Sequence, residues 1–496
     1  MNKIEEYKQE KDGLDVLADL PRFASEGWQS IGDGDKERLK WLGVFFRRQT
    51  PGDFMMRVRI PNGISTSQQF RTLADISQEF GPGFADLTTR QQIQLRGFKI
   101  HQVQEIWERL ERVGLGSWQT GMDNIRNVVG CAVAGLTSQE ALNAAPVVRQ
   151  YTEMIVGNRE FTNLPRKFNV AITGCTENCI HASTQDIALT PAAKISGESI
   201  GPGFNVLVGG KQGSGGLHPA VPLDVFVTEE EAAALCAQIT LIFRDHGARE
   251  ARNRCRLAFL VDAWGVERFR AELERRMGHP LSRAAWDLMG TDRNEHIGIF
   301  AQKQPGLSYV GLVVPVGRIT SSQLREVARL ADQYGNGDIR ITVGQNLIIA
   351  NVPKKELSRL VAEPLLQELR RNASPVMRGL VSCTGSDYCH FALIETKERA
   401  IQTARELERR LRLDGPLSIH WSGCPNACGN HLVADIGLLG KRIKVDGELV
   451  DAVDVYLGGR FAGLAPEGGR ALENVPCDQL PQALEKLVGA PVPVIA

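Results

Sequence analysis

The pattern of hydrophobic and polar positions changes its period several times between residues 54 and 113. Residues 54–60 are mostly apolar and alternate in their second half, which predicts a β-strand. From Ser67 onward the apolar positions follow helical spacing, and this pattern ends near Gly81. Residues 85–96 again predict a strand, and residues 103–113 predict a second helix. The segment is therefore predicted to form a β-α-β unit followed by a helix.

The residues before this unit are polar at first and amphipathic later. Residues 36–46 place Leu39, Leu42 and Phe45 on one side of a predicted short helix. We interpret this N-terminal stretch as a packing arm rather than a catalytic element.

The same succession of patterns returns about 254 residues later. Residues 313–317 match the end of the first strand and its turn, and residues 341–347 match residues 87–93. A second pair of segments also aligns, since residues 174–189 match residues 423–438 and both contain a C-x3-C motif. Self-similarity at this distance indicates duplicated domains, because solenoid repeats have periods of about 20–50 residues. We predict an α+β chain of two similar halves, whose smaller units pair into one pseudo-symmetric platform.

Composition excludes several classes of protein. The 496 residues carry 58 basic and 58 acidic side chains, whereas a general nucleic-acid-binding protein has a basic excess. No apolar run reaches the ~18 residues that a membrane-spanning helix needs, and the charged N-terminus lacks the apolar core of a secretory signal. We therefore expect a cytoplasmic protein with no membrane partner, or a trimmed enzyme of the plastid stroma.

Four of the ten cysteines form two pairs near the C-terminal end. Cys383 and Cys389 make a C-x5-C motif, and 34 residues later Cys424 and Cys428 make a C-x3-C motif. Two such pairs suit a tetrahedral metal site or an iron–sulfur cube. The wide first pair and the long interval disfavour zinc, and Gly, Pro and Asn beside the second pair predict irregular backbone with free N–H groups. Four buried or disulfide-forming cysteines are the alternative.

This arrangement resembles the [4Fe-4S] site of the sirohaem-dependent nitrite and sulfite reductases. That family also has a duplicated plan, so the repeat supports the resemblance independently of the cysteines. The resemblance implies that Cys383, Cys389, Cys424 and Cys428 hold a [4Fe-4S] cluster, and that Cys428 also bridges the cluster to the iron of a sirohaem.

The first half lacks a counterpart of the C-x5-C pair. Cys131 stands alone there, followed by the C-x3-C pair of Cys175 and Cys179. Three thiols make a poor cage for a cluster that takes four ligands. We interpret these three cysteines as non-ligating remnants of the duplication.

The repeat and the resemblance together predict five segments, and the resemblance extends to residues 452–460. In chain order they are a packing arm (1–48), a ferredoxin-like half-domain (49–118), a sirohaem and substrate domain (119–290), a second ferredoxin-like half-domain (291–365) and a [4Fe-4S] and sirohaem domain (366–496).

The resemblance also indicates an anion pocket, since reduction of a small oxyanion requires cations that hold it. Residues 55–63, 122–127 and 164–169 look like the segments that bind substrate, here through Arg57, Arg126, Lys167 and Asn169. Residues 88–96 resemble the segment that binds sirohaem carboxylates, here through Arg90, Gln94 and Arg96. Weaker candidates are Gln345, Asn346, His420 and Lys303.

The fourth pocket position distinguishes the two substrates of the family. Sulfite reductases tend to have a second lysine there, whereas ferredoxin-dependent nitrite reductases tend to have an asparagine, and here the residue is Asn169. Additional positive charge favours the more negative sulfite. We predict assimilatory six-electron reduction of nitrite to ammonium, with ferredoxin-dependent reduction of sulfite to sulfide as the alternative.

The electron donor is expected to be a separate protein, because the sequence has no flavin, nicotinamide or C-x4-C-x2-C ferredoxin motif. The family implies reduced ferredoxin, or flavodoxin, and a monomeric enzyme. Such donors are acidic, so arginine pairs such as Arg47 and Arg48 are candidates for a docking face. Two rivals are a non-catalytic iron–sulfur carrier or sensor and the ring-oxidising relative of the cobalamin pathway. Neither would need the set of Arg57, Arg126 and Lys167.

Overall fold

The computed structural model describes residues 2–196, 199–213, 216–291, 293–458 and 469–489. Residues 459 and 460, which end the stretch that resembles the reductase family, and residues 490–496 of the last predicted domain lie outside the described residues. Within the described ranges, no helix is long and apolar enough to cross a membrane.

Helices and strands follow one another in two similar successions. The α-helices are α1 Lys3–Glu10, α2 Leu20–Glu26, α3 Asp33–Arg38, α4 Ser67–Phe80, α5 Val103–Glu111, α6 Ala145–Ile155, α7 Glu229–His246, α8 Leu257–Trp264, α9 Val266–Met277, α10 Ser321–Tyr334, α11 Leu357–Val361, α12 Leu365–Glu368, α13 Pro375–Arg378, α14 Lys397–Arg410 and α15 Leu480–Gly489. The strands are β1 Val44–Phe46, β2 Phe54–Val58, β3 Ile64–Thr66, β4 Phe84–Leu87, β5 Ile93–Phe98, β6 Val170–Ile172, β7 Ile187–Ser196, β8 Ser199–Val208, β9 Val221–Val227, β10 Trp286–Asp287, β11 Gly298–Ala301, β12 Leu307–Leu312, β13 Arg318–Thr320, β14 Asp338–Ile341, β15 Leu347–Pro353, β16 Leu380–Ser382, β17 Ile419–Ser422, β18 Ile436–Val445, β19 Glu448–Leu457 and β20 Arg470–Pro476.

The two platform sheets each contain one strand from the other half of the chain. One sheet has the order β1-β2-β5-β4-β13, and the other has the order β11-β12-β15-β14-β3. Strand β13 pairs antiparallel with β4, and β3 pairs antiparallel with β14. Each half therefore completes the sheet of the other, which confirms the predicted pairing into one platform.

The two platform helices begin with the same local signal. Thr66 caps α4 in a capping box with Gln69, and Thr320 caps α10 in a capping box with Gln323. The helices pack against each other, and one hydrophobic core contains side chains from both halves. Its helical members include Phe70, Leu73, Leu324 and Val327.

The two larger sheets also have matching plans. One has the order β10-β7-β8-β9 with β6 beside β7, and the other has the order β16-β17-β18-β19-β20. Strand β6 is parallel to β7, as β17 is parallel to β18. The loops that follow β6 and β17 carry the two C-x3-C motifs. These paired sheets and the platform confirm the predicted α+β, internally duplicated fold.

The structure corrects two predicted elements. Residues 85–96 form an antiparallel hairpin of β4 and β5 rather than one strand, because Gln91 adopts a φ of 56° in the turn. The Gln91 side chain fixes that turn by donating to the carbonyls of Asn62, Gly130 and Ile341. Residues 36–46 are helical only as far as Leu42, since Gly43 adopts a left-handed conformation and β1 follows it to pair with β2.

Candidate functional site

The two predicted cluster pairs begin at one edge of a sheet. Strands β16 and β17 are parallel neighbours, so Cys383 and Cys424, which follow them, emerge at the same end. The backbone N–H of Gly423 donates to Cys383 Sγ at 3.2 Å. Gly385 and Ala427 adopt positive φ angles within the two loops, which are irregular as the sequence predicts.

The four thiols lie close enough to perturb one another. Burial and the negative charge of Cys428 raise the pKa of Cys383. Burial raises the pKa of Cys424 to about 12, and Cys428, Cys389 and Cys383 add to the effect. Four adjacent thiolates are unstable without a cation between them, and a positively charged iron–sulfur core removes that repulsion. The donor set and the N–H bond to sulfur therefore fit a [4Fe-4S] cluster.

Side chains of the platform form hydrogen bonds with both cysteine loops. Thr89 donates its hydroxyl to the carbonyl of Cys428 at 3.0 Å, and Arg96 donates to the hydroxyl of Thr384 at 2.8 Å. Gln345 forms two 3.0 Å hydrogen bonds with the backbone of Ser382, directly before Cys383. These contacts place the second cysteine pair against the β4–β5 turn of the opposite half.

Two residues predicted to bind sirohaem carboxylates, Arg96 and Gln94, form hydrogen bonds within the protein. Arg96 Nε donates to the buried Asp86 at 2.6 Å, and Arg96 Nη2 donates to Gln94 Oε1 at 2.9 Å. The Arg96 guanidinium also lies 4.8 Å from the ring centre of Tyr388, which precedes Cys389. The structure thus gives Arg96 a positioning contact with the first cysteine loop. Its predicted contact, and that of Gln94, with sirohaem carboxylates stays a prediction.

The predicted anion-binding cations come together from three segments, with Arg126 near Arg57, and with Arg57 and Lys167 near enough to Cys428 to feel its charge. Burial lowers the pKa of Arg57 to about 9, and the charges of Arg47 and Arg90 act in the same direction, whereas Cys428 opposes them. Burial and the same kind of repulsion hold the pKa of Lys167 well below its usual range, again with Cys428 opposing. A cluster of cations that face one thiol is a site for anions.

These cations have few internal partners. Four cations of the candidate anion site form no ion pair with any described acidic side chain, namely Arg57, Arg90, Arg126 and Lys167. Arg126 is buried, and its Nη1 has no hydrogen-bond partner within the described part of the chain. Arg57 Nη1 donates to the carbonyl of Thr120 at 3.0 Å, and its guanidinium stacks 4.6 Å above the ring centre of Phe45. A buried guanidinium with an unused donor fits a bound anion.

Asn169 is brought into the same cluster. Its Oδ1 accepts a hydrogen bond from Arg90 Nε at 3.2 Å. Its backbone N–H donates to Asp186 at 2.8 Å, and Arg256 holds the buried Asp186 with two hydrogen bonds. Asn169 is therefore fixed between the platform turn and the sheet of the first half.

Sequence reasoning missed two arginines of this cluster. Arg256 precedes α8, and its charge lowers the pKa of both Lys167 and Arg90 after burial. Arg47, one of several arginines that the sequence made candidates for a docking face, is half-buried; burial lowers its pKa, whereas Cys389 and Cys428 act in the opposite direction. Its neighbour Arg48 is exposed. The sequence signal that could have identified Arg47 was the apolar run of residues 44–46. That run predicts a strand, and a strand there places Arg47 at the end of a platform sheet.

Of the weaker candidates, Gln345 lies beside the first cysteine loop through its bonds to Ser382, and the other three have different surroundings. Lys303 pairs with Glu140 at 2.6 Å, and the Oδ1 of Asn346 accepts a hydrogen bond from the backbone of Val314. His420 lines a separate cavity of about 980 Å³ together with Cys179. Of the three predicted remnant cysteines, Cys179 lines this cavity, whereas Cys131 and Cys175 are buried in an apolar cluster.

Comparison with known proteins matches two family descriptions to the chain, each of them twice. The "Nitrite and sulphite reductase 4Fe-4S domain" matches residues 121–281 and 373–490, and the "Nitrite/Sulfite reductase ferredoxin-like half domain" matches residues 47–113 and 300–367.

Individual proteins of this family resemble the chain over nearly its full length. The ferredoxin–nitrite reductase of Synechococcus elongatus is 48% identical over 495 residues, which cover 98% of this chain and 96% of that protein. The chloroplastic ferredoxin–nitrite reductase of Spinacia oleracea is 40% identical over 509 residues, covering 98% and 85%. The structure of the Mycobacterium tuberculosis NirA protein superposes with a TM-score of 0.91 at 30% identity, covering 98% of this chain and 93% of that one. The chain belongs to the nitrite and sulphite reductase family.

Proposed function

We propose that this protein reduces nitrite to ammonium, with six electrons delivered one at a time by reduced ferredoxin. The reaction consumes nitrite, six electrons and eight protons and yields ammonium and two waters. The observation that carries the proposal is the cluster of cations that form no ion pair among the described residues, to which Arg126 contributes a buried guanidinium with an unused donor. A carrier of electrons alone has no use for such a set.

When bound, the [4Fe-4S] cluster and the sirohaem supply the electron store and the open iron at which N–O bonds are reduced. Cys383, Cys389, Cys424 and Cys428 would hold the cluster, and Cys428 would also help to hold the sirohaem. Arg90 would contact sirohaem carboxylates. The N–H donors of Arg96 that its hydrogen bonds within the protein leave free would do the same.

The chain's own residues bind and orient the anion. Arg57 and Arg126 hold the oxygens of nitrite by charge-assisted hydrogen bonds, and Asn169 adds a neutral amide donor. Lys167 has a lowered pKa, so its Nζ–H is a stronger acid than that of a free lysine and can pass a proton to a departing oxygen. Arg126 and Asn169 are buried and Arg57 and Lys167 are half-buried, so access of bulk water is restricted, which strengthens these contacts.

The relatives named above as ferredoxin–nitrite reductases support ferredoxin as the donor. Flavodoxin is the second donor that we expect to work, and we expect a monomer in the cytoplasm or the plastid stroma. The exposed Arg48, beside the half-buried Arg47, marks one place where an acidic donor could approach the cysteine loops.

The proposal is tested with purified holoenzyme, reduced ferredoxin and either nitrite or sulfite. We expect ammonium in proportion to nitrite consumed, a larger kcat/KM for nitrite than for sulfite, and sirohaem absorption that changes when nitrite is added. A preference for sulfite would reassign the substrate. Cluster absorption without sirohaem bands would instead support an electron carrier or sensor.

A further inference from the structure

The C-x3-C motif of the first half contacts a histidine that lies far from it in sequence. Cys179 Sγ lies 3.5 Å from Nε2 of His296, and the carboxylate of Glu177 completes a group whose ligand atoms all lie within 4.8 Å of one another. Glu177 and Cys179 are in the loop after β6, whereas His296 precedes β11. Thiolate, imidazole and carboxylate are the three ligand types that Zn²⁺ takes in proteins.

The separation of sulfur and nitrogen fits one tetrahedral ion. Bond lengths of about 2.3 Å for Zn–S and about 2.0–2.1 Å for Zn–N, at a tetrahedral angle, place the two ligand atoms about 3.5–3.6 Å apart. The observed distance between Cys179 Sγ and His296 Nε2 is 3.5 Å. One thiolate and one carboxylate also balance the charge of a divalent cation.

Neighbouring side chains orient these ligands. The other ring nitrogen of His296, Nδ1, lies 3.2 Å from the hydroxyl of Tyr309, so a proton on Nδ1 leaves the Nε2 lone pair directed at Cys179. Asn294 donates to Glu177 Oε1 at 3.3 Å and accepts the backbone N–H of His296 at 2.8 Å. His296 is buried and has a φ of 57°, an uncommon conformation that accompanies functional constraint.

We propose that Glu177, Cys179 and His296 form a binding site for a single Zn²⁺ ion. The fourth position faces the cavity of about 980 Å³ that both Cys179 and His296 line, and a water molecule can occupy it. Cys175 lies outside the three-residue group, and its Sγ donates to Glu177 Oε2 at 4.0 Å. The ion ties the β6 loop of the first half to the segment that begins the second half.

The test uses tag-free holoenzyme with a full cluster, so that the four cluster cysteines are not open to zinc. After exposure to Zn²⁺ alone and removal of loose metal, we expect one zinc per chain by elemental analysis and a higher Tm, since an ion that binds only the folded state stabilises it. Zinc-edge X-ray absorption, which iron does not disturb, should show one sulfur at about 2.3 Å and lighter atoms at about 2.0–2.1 Å.

Two kinds of variant decide the assignment. Cys179→Ser and His296→Gln should lose the bound zinc, and Glu177→Gln, which keeps an acceptor for Asn294, should bind it at least tenfold more weakly. The matched control is Cys477→Ser, which changes a half-buried thiol in the turn after β20 and should keep full zinc content. Zinc below one-tenth of an equivalent, equal zinc in Cys179→Ser and the parent, or a spectrum of four sulfurs would each overturn the proposal.

Discussion

Arg90 Nε donates a hydrogen bond to Asn169 Oδ1 at 3.2 Å and joins the platform turn to the sheet of the first half. Asn169 is buried, and Asp186 holds its backbone from the other side. Because Oδ1 is committed to Arg90, the amide nitrogen is the group that Asn169 presents to an anion. This contact makes the orientation of Asn169, the predicted substrate-selective residue, depend on Arg90, which is predicted to bind sirohaem.

Replacing Asn169 by lysine should move the preference of the enzyme toward sulfite. Asn169→Lys adds a charge beside Arg90 and Lys167, which favours the more negative anion, and it removes the acceptor of Arg90. We expect the ratio of kcat/KM for sulfite to kcat/KM for nitrite to rise roughly tenfold, about 1.4 kcal/mol of differential transition-state binding. Steady-state kinetics with both anions measures it.

The control for this change is Asn372→Lys, which introduces the same charge at an exposed position. That variant should keep the parental ratio, because an exposed lysine is screened by solvent. A ratio unchanged in Asn169→Lys itself would mean that Asn169 does not face the substrate.

Arg126→Gln should lower kcat/KM for nitrite by about 10²–10³-fold, the usual cost of removing a preorganised donor from a buried anion site. The reason is that Arg126 is buried, carries an unused Nη1 and forms no ion pair among the described residues. Arg112→Gln is the matched control, because the Arg112 side chain is 72% exposed and makes only a 4.0 Å ion pair on α5. Equal activities of the two variants would remove Arg126 from the anion site.

The pH dependence of nitrite reduction should report Lys167. Burial, and then the charges of Arg256 and Arg90, hold its pKa well below that of a free lysine. Lys167 is charged below this lowered pKa and neutral above it, so kcat/KM should fall as the pH rises through it. In Lys167→Arg the fall should move to higher pH, because a guanidinium stays protonated. A pH profile that is the same in both proteins would assign the titration to another group.

The sequence predicts the repeated platform because its signals are local. The capping residues Thr66 and Thr320 and the apolar faces of α4 and α10 lie within single helices, so periodicity alone identifies them. The exchange of β3 and β13 joins residues about 250 positions apart, and three-residue strands have no pattern that names their partner. The family resemblance supplied Arg57, Arg126 and Lys167, whereas Arg256 lies in no recognised motif and enters the site only through its pair with Asp186.

Cys428→Ser should abolish nitrite reduction, because Cys428 is the predicted link between the cluster and the sirohaem iron. Cys175→Ser changes the equivalent motif of the first half and should leave activity largely intact. Ammonium formation, iron content and the visible spectrum are measured on both variants. Retained nitrite reduction in Cys428→Ser would show that electrons reach the sirohaem by another route.

Stability at low pH should depend on Asp86, which accepts hydrogen bonds from Arg96 at 2.6 Å and Arg318 at 3.0 Å and lies 3.6 Å from Lys397. Burial alone would raise the pKa of Asp86, but the charges of Arg96, Lys397 and Arg318 outweigh it and hold the pKa well below its usual range. The depressed pKa means that this stabilisation is full above the unfolded-state value of about 3.9 and is lost as the pH falls below it.

Asp86→Asn leaves the buried Arg96 and Lys397 and the half-buried Arg318 without their shared anion, so we expect a loss of about 3–5 kcal/mol of unfolding free energy at neutral pH. The difference from the parent should shrink as the pH falls toward 3, because the parent carboxylate is then losing its advantage over the unfolded state. The control is Asp75→Asn, which breaks an exposed pair with Arg325 and should cost less than about 1 kcal/mol. Denaturant unfolding at several pH values measures both. Arg96 also donates to Thr384 beside Cys383, so Asp86→Asn should lower the iron content as well. A variant with full iron content and parental stability would show that Arg96 positions the cysteine loop without Asp86.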